Sequence, residues 1–153
     1  MNKGIILDFN RTVFDPDANS LFPGALEAIK LLYHEGFVIV LVAKENDGRE
    51  NLIKSLEIDQ YFSEIMFVSE KTAHLFKEIK ATFKMQANKS FVIGDRVRSE
   101  IESGNSAGFL SIWFQNGKFA NELPENAMQF PNFTVHDWFA IMTIISFIDN
   151  PHE

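Results

Sequence analysis

Five short apolar runs without regular polar alternation constrain this chain most: GIIL (4–7), FVIVLVA (37–43), EIMFV (64–68), SFVI (90–93) and FLSIWF (109–114). A strand with one wet face alternates polar and apolar residues, so runs like these predict strands buried on both faces. The stretches between them have helical spacing. Pro23 suits a first helical turn, Leu26, Ile29 and Tyr33 mark one face, and Gly36 supplies a stop. A second helix carries Leu52, Ile53 and Leu56, a third Leu75, Phe76, Ile79 and Phe83, and a fourth runs from Val97 through Ile101 to Gly108. Asp137 caps a last helix carrying Trp138 to Phe147. Strand and helix alternating in this order predict an α/β domain: a doubly wound parallel sheet of about five strands, helices on both faces and right-handed crossovers. The whole chain, 1–153, is expected to be a single domain, long enough to bury a sizeable core. Residues 115–132 are expected to form a polar surface loop.

In an open parallel sheet, ligands bind beyond the carboxyl ends of the strands, near the point where the strand order reverses. The residues after each run are Asp8-Phe9-Asn10-Arg11-Thr12, Ala43-Lys44-Glu45-Asn46, Ser69-Glu70-Lys71 and Gly94-Asp95-Arg96-Val97-Arg98. Two strand-end carboxylates and a lysine can therefore converge on one crevice. Carboxylates with a carbonyl oxygen make a hard site of the kind Mg²⁺ takes together with phosphate oxygens. A lysine neutralises a transferring phosphoryl group, and an aspartate can attack phosphorus. Gly94 suits a backbone that must approach a ligand or metal closely. These residues point to magnesium-assisted phosphoryl transfer. The plainer alternatives are that Asp8 only forms a turn and that Asn10 is simply a good turn residue.

Asp-x-x-x-Thr at the end of the first strand, then Lys71, then GDRVRSE, resembles the haloacid dehalogenase (HAD) superfamily of phosphatases and hydrolases. LFPGALEAIKLLYHEGF and GNSAGFLSIWFQNG are similar to other stretches of that family, so the resemblance covers nearly the whole chain. It implies a HAD-like Rossmannoid fold in which Asp8 is nucleophile and metal ligand, the main-chain carbonyl of Asn10 and Asp95 complete the metal set, and the cofactor is Mg²⁺. Lys71 would stabilise the phosphoryl group, with Thr12 and Lys44 as further phosphate-binding groups.

Three positions depart from the family's pattern. Asn10 stands where its phosphatases usually have an aspartate acting as acid to the leaving group and then base to water. Ala43 stands where a Ser or Thr usually bonds the phosphoryl oxygens, and Glu100 closes the last motif in place of Asp. An amide exchanges no proton near neutral pH, and general acid–base catalysis contributes about 10²- to 10⁴-fold. The resemblance therefore implies a phosphohydrolase of reduced or unusual efficiency, with Asn10 at a catalytic position beside Asp8 and Lys71. The alternative is a catalytically inactive HAD-fold module that binds a phosphorylated ligand or a protein partner. A receiver domain is a third candidate, but it expects its acceptor acid after a middle strand. The short segment from Asp8 to Pro23, and the direct run from the third strand into Lys71, leave no room for the cap domain many relatives insert. An uncapped site admits bulky phosphoesters, and the apolar last helix is a candidate surface for a second copy of the chain.

Composition narrows the partners. A net charge of −7 argues against general nucleic-acid binding or an anionic membrane surface. The absence of cysteine removes thiol catalysis and thiolate metal sites. Ile5 to Leu7 is too short for a signal peptide, and Trp138 to Ile148 falls short of the roughly 20 residues a bilayer span needs, so a cytoplasmic protein is expected. His34, His74, His136 and His152 show no metal-ligand spacing and are expected to be structural or exposed. Phe114, Phe119, Phe130 and Phe133 flank the polar loop and are expected to fold back on the core. Arg11, Lys44, Arg49, Lys71, Arg96 and Arg98 all follow strands and, if they share one edge, make it locally positive.

Overall fold

The structure, a computed structural model, describes residues 1–151, and His152 lies outside them. The chain runs β1 (Gly4–Leu7), β2 (Phe14–Asp15), β3 (Ser20–Leu21), α1 (Ala25–His34), β4 (Val38–Lys44), α2 (Arg49–Ser55), β5 (Glu64–Val68) and α3 (Ala73–Thr82). It continues through β6 (Phe91–Gly94), a wide π-helical turn over Val97–Ile101, α4 (Glu102–Ser106), β7 (Leu110–Phe114), β8 (Phe133–Val135) and α5 (Trp138–Asp149). Six strands form one sheet in the order β5-β4-β1-β6-β7-β8, and every pair in it is parallel. That is one strand more than the sequence predicts. Phe133–Val135 is short and follows a polar segment, so its pairing with Ile112–Phe114 is a tertiary contact without a local signal.

The apolar runs form strands because both faces of the sheet are covered. Ile5, Leu7, Ile39, Leu41, Phe91, Ile93 and Ile112 pack on one face against Ile29 and Leu32 of α1, Ile53 of α2, and Trp138, Ile141 and Ile145 of α5. Ile6, Val40, Val42 and Val92 point the other way, against Phe76 and Ile79 of α3 and the Met85, Ala107 and Phe109 side chains. Burying each large side chain contributes about 1.5–3 kcal/mol, which holds alternate residues of one strand in two separate cores. Gly36 and Gly108 end α1 and α4 at positive φ, as their positions in the sequence suggest. Asp137 caps α5 through its carboxylate, which accepts from the Ala140 N–H at 2.8 Å.

β1 lies at the centre, with β4 and β5 on one side and β6, β7 and β8 on the other. The strand order thus reverses between β1 and β6, and the loops after these two strands carry Asp8 and Asp95. Between β1 and α1 the chain inserts only the β2–β3 hairpin, and between β5 and α3 only a short turn. Neither place holds a cap. Of the four flanking phenylalanines, Phe114 is buried, Phe133 lies in β8 and Phe119 stacks under the Arg96 guanidinium at 4.1 Å, but Phe130 stays 62% exposed and does not fold back. His74 and His136 are exposed as expected. No described helix is long and apolar enough to cross a membrane.

Candidate active site

A cavity of about 480 Å³ opens at the carboxyl edge of the sheet, and Asp8, Asn10, Lys44, Lys71, Asp95 and Glu100 are among the residues lining it. Asp8 leaves β1 into a tight loop in which the Phe9 carbonyl accepts from the N–H groups of Thr12, Val13 and Phe14. The Phe9 and Phe14 rings stack at 5.5 Å and hold that loop to the core. The loop is also pinned from above, because the Trp138 indole N–H donates to the Thr12 carbonyl at 2.9 Å. The Asp95 loop has a matching pin, the Trp113 indole N–H donating to the Asp95 carbonyl at 2.8 Å. Lys71 precedes Thr72, the N-cap of α3, and its carbonyl accepts from the Ser103 hydroxyl at 3.2 Å.

The floor of the cavity is a buried ion network. The Lys71 ammonium donates to one oxygen of Asp8 and, at 2.7 Å, to Glu100. The Thr12 hydroxyl donates to the other Asp8 oxygen at 3.0 Å. Burial pushes the Asp8 carboxyl up, but the adjacent Lys71 ammonium and the hydrogen bonds from Lys71, Asp95 and Thr12 outweigh it and hold Asp8 below the ordinary carboxylate range. Burial likewise disfavours the charged ammonium of Lys71, yet Asp8 and Glu100 hold it charged and raise its pKa. Asp95 has no such compensation: burial and then the charges of Asp8 and Glu100 push it up to about 10. Glu100 is pushed up to about 7, by burial and by Asp8, with Lys71 opposing. The site therefore holds Asp8 ionised beside a charged lysine, and an excess of buried carboxylate that favours a cation.

Ligand oxygens of Asp8, Asp95 and Glu100 lie within 4.8 Å of one another, and Glu100 Oε2 is buried without a hydrogen-bond partner. An all-oxygen, multiply charged donor set with an orphaned buried oxygen fits a hard divalent cation such as Mg²⁺.

The sequence expectations meet this geometry unevenly. Asp8, Asn10, Lys44, Lys71 and Asp95 all come together at the cavity. Thr12 does not: it is fully buried and its hydroxyl is spent on Asp8, so it orients that carboxylate from below and is not among the groups lining the cavity. Ala43 is buried in the core and offers the cavity no donor, while Lys44 lines it. Gly94 is required by a side chain and not by a ligand, since a Cβ there would come within 2.6 Å of Glu100. Glu100, expected only as a charge-preserving replacement, is a full member of the network. The π-helical turn over Val97–Ile101 brings it back across Gly94 to Lys71, and such widened turns are frequent at functional sites.

The six strand-end cations do share the cavity, joined by Lys118. Lys118 lies in the polar loop, and no pattern in that loop signals it. Arg96 is held by Glu122 at 2.8 Å and Arg98 by Glu125 at 2.8 Å, which fastens the loop after β7 to the site. Arg49 donates to the Lys44 carbonyl at 2.6 Å; its pKa is lowered by partial burial and supported by the charge of Asp8.

Residues 70–139 match the HAD-hydrolase-like family model. A glyceraldehyde 3-phosphate phosphatase from Pyrococcus furiosus is 25% identical over 129 residues, covering 80% of this chain and 53% of that protein. The chain spans about half the length of the curated relatives it matches, with 43% of a second such phosphatase, from Pyrococcus abyssi, covered at 28% identity. Among solved structures, a HAD-superfamily hydrolase of subfamily IA from Geobacter sulfurreducens superposes with a TM-score of 0.74 at 12% identity, covering 94% of this chain and 96% of that one. A HAD hydrolase from Bacillus subtilis bound to magnesium gives a TM-score of 0.68 at 16% identity, covering 82% of this chain and 56% of that one.

Proposed function

We propose that this chain, which resembles the haloacid dehalogenase superfamily, hydrolyses phosphomonoesters through an aspartyl phosphate on Asp8, slowly, with Mg²⁺ held by Asp8, Asp95 and the Asn10 carbonyl. The observation that carries this is the network at Asp8: a buried, ionised carboxylate beside a charged lysine, at the switch point of the sheet. One Asp8 oxygen attacks phosphorus and the ester P–O bond breaks. Lys71 keeps Asp8 ionised before attack and offsets charge on the phosphoryl oxygens. Lys44 and Arg49 line the same cavity and can bind those oxygens where Ala43 supplies no hydroxyl. When bound, Mg²⁺ supplies charge neutralisation for the phosphate oxygens. Glu100 adds a third carboxylate to that metal set.

The leaving alkoxide must collect a proton, and the water that cleaves the aspartyl phosphate must lose one. Asn10 can do neither, so both steps proceed without the usual shuttle. The open cavity admits bulky phosphoesters, since the described residues insert no cap over it.

The assay is release of phosphate from an aryl phosphate with Mg²⁺, for wild type, Asp8→Asn and Asn10→Asp. Slow turnover that needs Asp8 and rises about 10²- to 10⁴-fold in Asn10→Asp is expected. A silent wild type with activity in Asn10→Asp identifies instead a disabled site that holds phosphorylated ligands. Silence in all three, with no Mg²⁺ binding, overturns the enzymatic assignment.

A further inference from the structure

The cavity wall is not uniformly charged. Its carboxylates are Asp8, Asp95 and Glu100 at the floor, and Glu45 and Glu70 in the loops after β4 and β5. On the opposite side, beyond β6, the loop after β7 contributes Lys118 and Phe119, and Arg11 leans across to it from the Asp8 loop. The two acids nearest in sequence to that loop, Glu122 and Glu125, are already paired with Arg96 and Arg98. Arg11 and Lys118 are therefore the cations on this side that no floor or loop carboxylate neutralises. Arg11 has only Asp17 at 3.5 Å, which is itself 76% exposed, and its Nε is buried without a partner. Lys118 lies over the Phe119 ring, 5.0 Å from its centroid, and makes no ion pair among the described residues.

Arg11 is also held in a costly conformation. Its φ of +62° lies in the left-handed region, where glycine has no penalty and an arginine does. The surroundings enforce it: the Arg11 N–H donates to the Phe14 carbonyl at 2.7 Å, and Asn116 Nδ2 donates to the Arg11 carbonyl at 2.8 Å. Gly117 makes room for the guanidinium, because a Cβ there would come within 2.6 Å of Nη1. A strained residue over-determined by its neighbours at the mouth of a site is a functional signal.

We propose that Arg11 and Lys118 form a second anion subsite, so that the preferred substrates are phosphomonoesters carrying another phosphate or a carboxylate. This rests on the phosphohydrolase assignment for its substrate class. Arg11 supplies a planar fork and Lys118 a mobile point charge, suited respectively to fixing an oxyanion and to admitting anions of different size. Both act on the part of the substrate that does not react, so they set specificity and not the chemical step.

The test compares kcat/KM for phenyl phosphate, fructose 1,6-bisphosphate and 3-phosphoglycerate with Mg²⁺, in wild type, Arg11→Gly and Lys118→Gln. Glycine accepts the positive φ, so Arg11→Gly folds, and Lys118 is exposed, so Lys118→Gln does too. Wild type is expected to favour the doubly anionic substrates, and that preference to fall about 10- to 100-fold in Arg11→Gly and about 10-fold in Lys118→Gln. A fall with the bisphosphate alone assigns the subsite to phosphate, and with both substrates to either anion. Hydrolysis without preference, or a preference that survives both substitutions, overturns the subsite and leaves the hydrolase standing. If wild type hydrolyses nothing, the hydrolase fails and thermal unfolding decides the subsite. A larger Tm rise with fructose 1,6-bisphosphate than with equal inorganic phosphate, lost in both variants, supports it, and equal rises overturn it.

Discussion

The floor and the rim of the cavity are built on opposite principles. At the floor, Asp8, Lys71, Asp95 and Glu100 are buried, their loops are tied by Trp138, Trp113 and Ser103, and the Lys71 donors are divided between two acids. At the rim, Lys44 and Lys118 are exposed and Arg11 keeps an unpartnered Nε. The floor keeps the aspartates and the lysine that carry the family resemblance, with Glu100 in place of Asp, and the rim carries the change at Asn10. A buried charge network tolerates little alteration, because removing one member strands the others in a medium of low dielectric constant. Rim groups remain solvated whichever residue is present. The buried charges are thus fixed in place, while the groups at the rim that would meet the rest of a substrate are free to differ.

Four variants test this contrast. Lys71→Met strands Asp8 and Glu100 and is expected to destabilise the protein by about 3–5 kcal/mol at pH 7, whereas Lys44→Met at the rim should change stability by no more than about 0.5 kcal/mol. Without the ammonium, the folded-state pKa of Asp8 rises above its ordinary 3.8, and that of Glu100, already about 7, rises further above its ordinary 4.5. The penalty is therefore largest at neutral pH and shrinks as pH falls through that range, where the unfolded chain takes up protons as well. Urea unfolding at pH 7 and 4.5 measures both; equal penalties for the two lysines would erase the distinction between floor and rim.

Trp138→Phe removes the donor to the Thr12 carbonyl and is expected to cost about 1–3 kcal/mol, since a buried acceptor loses its partner. Phosphate release should fall as well, with kcat affected more than KM, because the Asp8 loop loses its pin. An unchanged kcat alongside reduced stability would show that the indole only fills space.

Asp95→Asn has the smallest effect and the opposite sign. Asp95 holds a proton in the folded state up to a pKa of about 10, against an ordinary 3.8, so in the metal-free protein it lowers stability as pH rises between those values. Its amide should raise metal-free stability at pH 8 by about 1 kcal/mol or more, and diminish the Tm increase that Mg²⁺ produces. Calorimetry with and without Mg²⁺ reads both, and a variant with lower metal-free Tm would contradict the raised pKa.

Much of this was legible locally. The apolar runs located five strands because burial leaves little polar alternation, although the edge strand β5 is only half-buried, and Asp8 and Asp95 were placed at a shared crevice because each follows a strand. The sixth strand escaped because Phe133–Val135 is only three residues long and its pairing is non-local. The family resemblance implies phosphate binding for Thr12, but a motif does not say whether a hydroxyl in a tight loop faces up or down; here it faces Asp8. The sequence shows Glu100 only as the acid closing the last motif, because the π-helical turn that returns it to Lys71 depends on packing against Gly94.

The sequence by itself determined the layered α/β class, the order of its elements, and which acids and lysine end the strands, because these follow from periodicity and from residues adjacent in the chain. Only the tertiary structure decided that Lys71 pairs with Asp8 and Glu100 together, that the Thr12 hydroxyl is spent on Asp8, and that the Arg11 guanidinium packs on Gly117 beside Lys118. Each of these depends on burial and on distances between segments remote in sequence, and electrostatic energy in a protein interior is set by those distances and not by residue type.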